Sequence, residues 1–164
     1  MNVFDYIITM EEHAALLFER LFDETKDPEL KRIFGLLATR ERESILNLAT
    51  MKNTVSPEDA HSTQLDRARN VMDGFERLLE QHDIRHELRT DPDGYEHIVK
   101  AEEENIRMLE GVAEVEESRT ARNLLDRLAA DKRKELSEIE NIYDFVETPH
   151  TYLEWGEFSN LHPL

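Results

Sequence analysis

Cysteine is absent from the 164-residue chain. That excludes a disulfide, a thiolate nucleophile, cysteine-ligated zinc and an iron–sulfur cluster, and it leaves metal chemistry to seven histidines and the carboxylates. No apolar run approaches the roughly 18 residues a membrane span needs, and Met1 to Met10 carries Asp5 but no basic residue. Neither a membrane span nor a secretory signal is expected, and a cytoplasmic location follows by default. Basic residues are also scarce: 20 Lys and Arg stand against 37 Asp and Glu, for a formal net charge of −17. Such a surface repels phosphate backbones and anionic lipid heads, so no nucleic-acid and no membrane partner is expected. The length suits one domain that buries about two-thirds of the surface its unfolded chain exposes.

What is present is organised around Leu37 to Leu48. At helical spacing Leu30, Ile33, Phe34, Leu37, Ala38, Ile45 and Leu48 form one apolar stripe, with Glu41 and Ser44 inside it. A buried carboxylate needs a cation, a metal, a proton or several donors, so something must stand opposite Glu41. Sliding the sequence by 91 residues carries Glu11 onto Glu102 and superposes Ile7 on Ile98, Phe18 on Leu109, Phe34 on Leu125, Leu37 on Leu128 and Leu48 on Ile139. Two helical hairpins share one plan. Glu11 and Glu102 lie on the apolar faces of their helices, and Glu41 and Ser44 map onto Lys132 and Glu135. Each of four helices therefore points a polar group inward at a similar height.

The punctuation agrees with the periodicity. Asn2 caps a helix expected over Val3 to Glu24, Asp27-Pro28-Glu29 opens the second, and Ser118 stands where Asp27 does in the repeat. Hairpins are expected at 1–53 and 94–148, joined by a crossover at 54–93. Ser56-Pro57-Glu58-Asp59 marks a start there, and Leu65, Ala68, Val71, Met72, Phe75, Leu78 and Leu79 predict a crossover helix of about 20 residues. Asp91-Pro92-Asp93 starts the third long helix. The fourth is expected from Arg119 to Phe145, stopped by Pro149, after which an aromatic tail at 149–164 with Trp155 docks on the hairpins or on a second subunit. The fold class is all-α: a ferritin-like four-helix bundle of two repeated hairpins with a long crossover, carrying its site on facing helices.

Glu11-Glu12-His13-Ala14-Ala15-Leu16-Leu17-Phe18, followed by Asp27 through Glu41, resembles the start of a rubrerythrin-type ferritin-like domain, and the resemblance extends to about residue 147. It implies a di-iron centre inside the bundle that reacts with peroxide or oxygen, or oxidises iron. If the chain is an enzyme, it is then a non-haem iron oxidoreductase. Glu11 and Glu102 match the family's single-glutamate positions and Glu41 the glutamate of the second helix. The pattern then departs. Ser44 replaces one ligand histidine, Lys132 the fourth helix's glutamate and Glu135 the other histidine, and Asn105 stands where rubrerythrins often carry a further glutamate. Without cysteine there is no rubredoxin-like relay.

Charge counting limits what such a site holds. Glu11, Glu41, Glu102 and Glu135 sum to −4 and Lys132 brings this to −3, whereas two divalent ions require about four units of compensation. The expected cofactor is one divalent metal ion (iron, manganese or magnesium) on Glu11, Glu41, Glu102 and Glu135, with Lys132, Ser44 and Asn105 beside it, and no haem. The alternative is a tethered amine: Lys132 itself donates to the carboxylates while a residual proton neutralises the rest, and the protein is a metal-free scaffold or interaction protein. A blander one has Lys132 snorkelling outward and pairing with Glu135 at a spacing of three. His82 and His86 share a helical face but lie in a solvated stretch, and His13 faces away from the bundle axis. A homodimer, formed through helix faces or the tail, is the expected assembly.

Overall fold

The computed structural model describes residues 1–68, 74–81, 86 and 95–159, with side chains through residue 141 except those of Ala68, Phe75, Leu79 and Tyr95. Helices dominate: α1 spans Val3–Glu24, α2 Pro28–Lys52, α3 Thr63–Ala68, α4 Gly74–Glu80, α5 Tyr95–Val115 and α6 Arg119–Ser159. The expected caps close them. Asn2 Oδ1 accepts from the Phe4 and Asp5 amides, and Asp27 Oδ1 accepts from those of Glu29 and Leu30, with Pro28 opening the helix. Ser118 Oγ accepts from Ala121 N at 3.3 Å in the corresponding turn of the second hairpin. Among the described residues there is no strand, only an isolated bridge between Asn2 and His61. None of the described helices is long and apolar enough to cross a membrane.

Apolar side chains collect in two clusters rather than one. Ala14, Leu17, Phe18, Leu21, Leu30, Ile33, Phe34, Leu37, Ala38, Leu78, Ile98, Ala101 and Ile139 form the first. Val3, Phe4, Ile7, Leu48, Ala60, Leu65, Leu109, Val112, Ala113, Leu125, Leu128 and Ala129 form the second. Between them every long helix carries buried polarity: Glu11 on α1, Glu41 on α2, Glu102 and Asn105 on α5, and Lys132 on α6. The order of the clusters also gives the direction of each helix. α1 and α6 run from the second cluster to the first, and α2 and α5 run from the first to the second. Two neighbours in sequence that point the same way need a connection as long as themselves. The crossover supplies it, placing Leu65 of α3 in one cluster and Leu78 of α4 in the other.

The matched hairpins also carry matched rim contacts. Arg42 donates from Nε and a terminal nitrogen to the two Glu19 oxygens at 2.9 and 3.0 Å, and Arg133 does the same to Glu110 at 2.7 Å. A shift of 91 residues carries the first pair onto the second. This sequence signal was available in the repeat, but exposed charges have no periodic pattern that marks them as partners.

Two expectations need correction. The start signal at Ser56 yields a single turn, in which Ser56 Oγ accepts from Asp59 N and Ala60 N bonds back to Ser56 O. Helix α3 begins only at Thr63, where Ser62 Oγ accepts from Leu65 N. The local capping pattern forms, but Val3 N bonds Ala60 O and Ser62 N bonds Met1 O, which ties this segment to the chain start instead of to a continuing helix. Among its described residues the crossover carries helix at Thr63–Ala68 and Gly74–Glu80, and the expected single helix of about 20 residues would run through 69–73, which lie outside the described residues. Pro149 does not end α6, which continues to Ser159. A proline removes one backbone hydrogen bond and crowds the preceding turn, but helical bonding resumes beyond it. Docking of the tail and the start at Asp91 lie outside the described residues.

Gly74 is where α4 meets α5. A Cβ there would stand 2.8–2.9 Å from the Cα, Cβ and O atoms of Ala101, and the Gly74 amide donates to Asn105 Oδ1 at 3.1 Å. Gly111 on α5 has open space around it. Gly74→Ala is expected to destabilise by roughly 1–3 kcal/mol. Gly111→Ala should be stabilising by up to about 1 kcal/mol through helix propensity. Urea denaturation of the two variants measures both signs.

Candidate functional site

The four long helices meet at Lys132. Its Nζ lies 2.7 Å from Glu11 Oε1, 3.6 Å from Glu41 Oε2, 3.6 Å from Glu102 Oε1 and 3.5 Å from Glu135 Oε2. Glu11 is 1%, Glu41 2%, Glu102 2% and Lys132 6% exposed. The periodicity explains the convergence: each acid occupies a stripe position that its helix must turn inward to bury the flanking leucines and phenylalanines. Lys132 does not snorkel. It reaches the axis, and Glu135, with a side chain 27% exposed, closes the cluster toward solvent.

Electrostatics follow from one cation among four acids in a dry layer. Burial, above all, raises the Glu41 carboxyl to about 8; Lys132 opposes the rise, and a hydrogen bond with Glu11 together with its charge adds to it. Glu102 is raised to about 7, again mainly by burial, with Lys132 opposing and the charges of Glu41 and Glu135 assisting. For Lys132, burial disfavours the ammonium, but the charges of Glu102, Glu41, Glu11 and Glu135 outweigh it and hold its pKa well above the ordinary lysine value. The layer thus contains an ammonium and at least one carboxylic acid at neutral pH. The proton on Glu41 provides what a second cation would otherwise supply.

This donor set does not fit a dinuclear metal centre. The ammonium stands among the four carboxylates, and the two positions where the resemblance would put histidines hold Ser44, half-buried, and Glu135. Among the described residues no group of three or more His, Cys, Asp or Glu side chains is arranged to hold a metal ion. One oxygen each of Glu11, Glu41 and Glu102 is nevertheless buried without a hydrogen-bond partner.

The other expected residues separate. Asn105 is a satisfied core amide, 4% exposed, whose oxygen serves the Gly74 amide. His13 is half-buried outside the cluster, His86 is exposed, and His82 lies outside the described residues. A second buried acid was not foreseen. Glu116, 2% exposed, bonds the Ser62 hydroxyl and accepts from Ser118 N at 3.1 Å. Burial would raise its pKa, but bonds from Ser62 and from the Ser118, Glu117 and Gln64 amides lower it. It ties the crossover to the turn between α5 and α6, where Arg122 donates to the Glu116 carbonyl. Its position in a turn hides it from any periodic reading. No family model, no curated protein and no solved structure matches the chain.

Folded Glu41 and Glu102 retain protons that the unfolded chain releases near 4.5. The native state binds more protons between about 4.5 and 8, so stability falls as pH rises through that window, by about 1.4 kcal/mol per unit for each group wholly within it. Lys132 does not oppose this, because its contribution is complete below the unfolded lysine value and is lost only as pH rises through its higher folded one. Calorimetry should show Tm declining from pH 5 to 8.5, and Glu41→Gln should flatten the decline and exceed the parent at the alkaline end. Lys132→Met should cost about 3–5 kcal/mol at neutral pH, since it strands buried acids, and the deficit should shrink on acidification. A pH-independent deficit would show that Lys132 contributes packing rather than charge.

Proposed function

We propose that the chain is a rubrerythrin-like, ferritin-fold protein in which the Lys132 ammonium has replaced the metal, and that it acts as a metal-free helical scaffold or interaction protein rather than an iron oxidoreductase. The observation that carries this reading is the position of Lys132 Nζ, within 3.6 Å of carboxylates from all four long helices. The repeated hairpins, the parallel course of α2 and α5 and the long crossover support the ferritin-like plan. The absence of imidazole from the donor set supports the loss of redox chemistry. In this role the charged layer fixes helix register, because sliding any helix by one turn would strand a buried acid against leucine. The proposed partner is a second copy of the chain, a role supported by exposed Leu36, Leu46 and Val115.

A second reading keeps one divalent ion on Glu11, Glu41, Glu102 and Glu135 with Lys132 displaced, and the three unpartnered carboxylate oxygens favour it. Metal analysis separates the two. Protein purified after iron and manganese supplementation should contain no stoichiometric metal. The Ser44→His, Lys132→Glu, Glu135→His variant, which restores the resembled ligand set, should take up about two ions. One equivalent in the parent that disappears in Glu41→Ala would establish the second reading instead.

A further inference from the structure

A cleft of about 800 Å³ opens between α2 and α6 and descends to the charged layer. Burial increases along it. Glu43 and Asp131 are exposed, Ser44 and Glu135 are half-buried, and Glu11 and Lys132 are buried. Five acids and three bases line it, for a net charge of −2. Two of the bases are already engaged, Arg40 by Glu138 at 2.8 Å and Lys132 by the glutamate layer. At the inner end Glu11, 1% exposed, gives Oε1 to Lys132 and leaves Oε2 with no hydrogen-bond partner.

The wall is not wholly polar. Ile7, Leu48, Met51 and Leu128 also line the cleft, beside the Ser44 hydroxyl and the Asn47 amide. A hydrated inorganic cation gains nothing from such a wall, whereas a methylene chain does. An ammonium on that chain would meet the carboxylates of Glu11 and half-buried Glu135 at the inner end and further acids at the mouth.

We infer that this cleft binds a small alkylammonium compound, best a linear diamine, with one ammonium seated against Glu11 and Glu135, the methylenes on Ile7, Leu48 and Leu128, and the second ammonium toward Glu43 and Asp131. The inference rests on the metal-free reading, since an ion held by the same glutamates would compete with the inner ammonium. The volume is within the range of small-molecule sites. The bound ligand adds the positive charge that the layer lacks and stabilises the carboxylates as anions.

Titration calorimetry of the full chain with 1,4-diaminobutane, in about 0.15 M salt to screen loose surface association, tests it. Saturable binding of one diamine per chain is expected, with none for 1,4-butanediol, which has the same length without charge. Glu135→Gln should weaken binding at least tenfold, and Ser44→Phe, which fills the cleft without altering charge, should do the same. Circular dichroism checks that each variant is folded. Absence of saturable binding, or binding unchanged in both folded variants, overturns the inference. If magnesium or manganese binds stoichiometrically and displaces the diamine, both this inference and the metal-free reading fail. If neither metal nor diamine binds, only the inference fails.

Discussion

A charged layer is the constraint on which the rest of the structure depends. Three glutamates and a lysine, each no more than 6% exposed, lie where an uninterrupted apolar core would be cheaper to form. Desolvating that many charges is unfavourable by several kcal/mol per ion, and only close mutual contact offsets it. The 2.7 Å bond from Lys132 to Glu11 and the approach of Glu41, Glu102 and Glu135 supply that contact, while protonation of Glu41 removes one of the charges. Such a layer contributes less to stability than leucines would, but it restricts the register in which four helices can assemble.

Its central position follows from the repeat. Matched helices run in opposite directions, so Phe18 of one apolar cluster corresponds to Leu109 of the other, and Leu48 corresponds to Ile139 with the clusters exchanged. Reversal of this kind is what a two-fold axis perpendicular to the helices produces. The axis carries each apolar cluster onto the other, and only the level between them maps onto itself. Glu11 with Glu102, and Glu41 with Lys132, occupy that level. A carboxylate facing its own image would repel it, and the replacement of one of four positions by lysine removes part of that repulsion.

Chemical consequences follow from how the layer is enclosed. Glu41 and Glu102 are sealed between apolar clusters, whereas Glu11, Lys132 and Glu135 border the cleft between α2 and α6. The same charged cluster is therefore structural on one side and accessible on the other. Asn105 and Gly74 fasten the crossover over the closed side, and the Ser62–Glu116 bond fastens it again near the turn between α5 and α6.

Much was written in local pattern. Apolar spacing and caps located α1 near Val3 to Glu24, the start of α2 at Pro28 and the start of α6 near Arg119, because helix periodicity and capping are short-range physics. The shift of 91 residues determined which acids share a level, since a repeat maps burial onto burial. Tertiary structure alone decided the rest. Whether Lys132 snorkels or turns inward depends on charges from three other helices, and the length of α6 beyond Pro149 is not set by the proline alone. The Ser56 turn stops short because its backbone groups find partners at Met1 and Val3, about 60 residues away in sequence. Gly74 is required by the backbone of Ala101 lying against it, and the cleft is lined by residues of α2 and α6, which belong to different hairpins. These are contacts between segments distant in the chain, and a local pattern carries no information about which distant group will arrive.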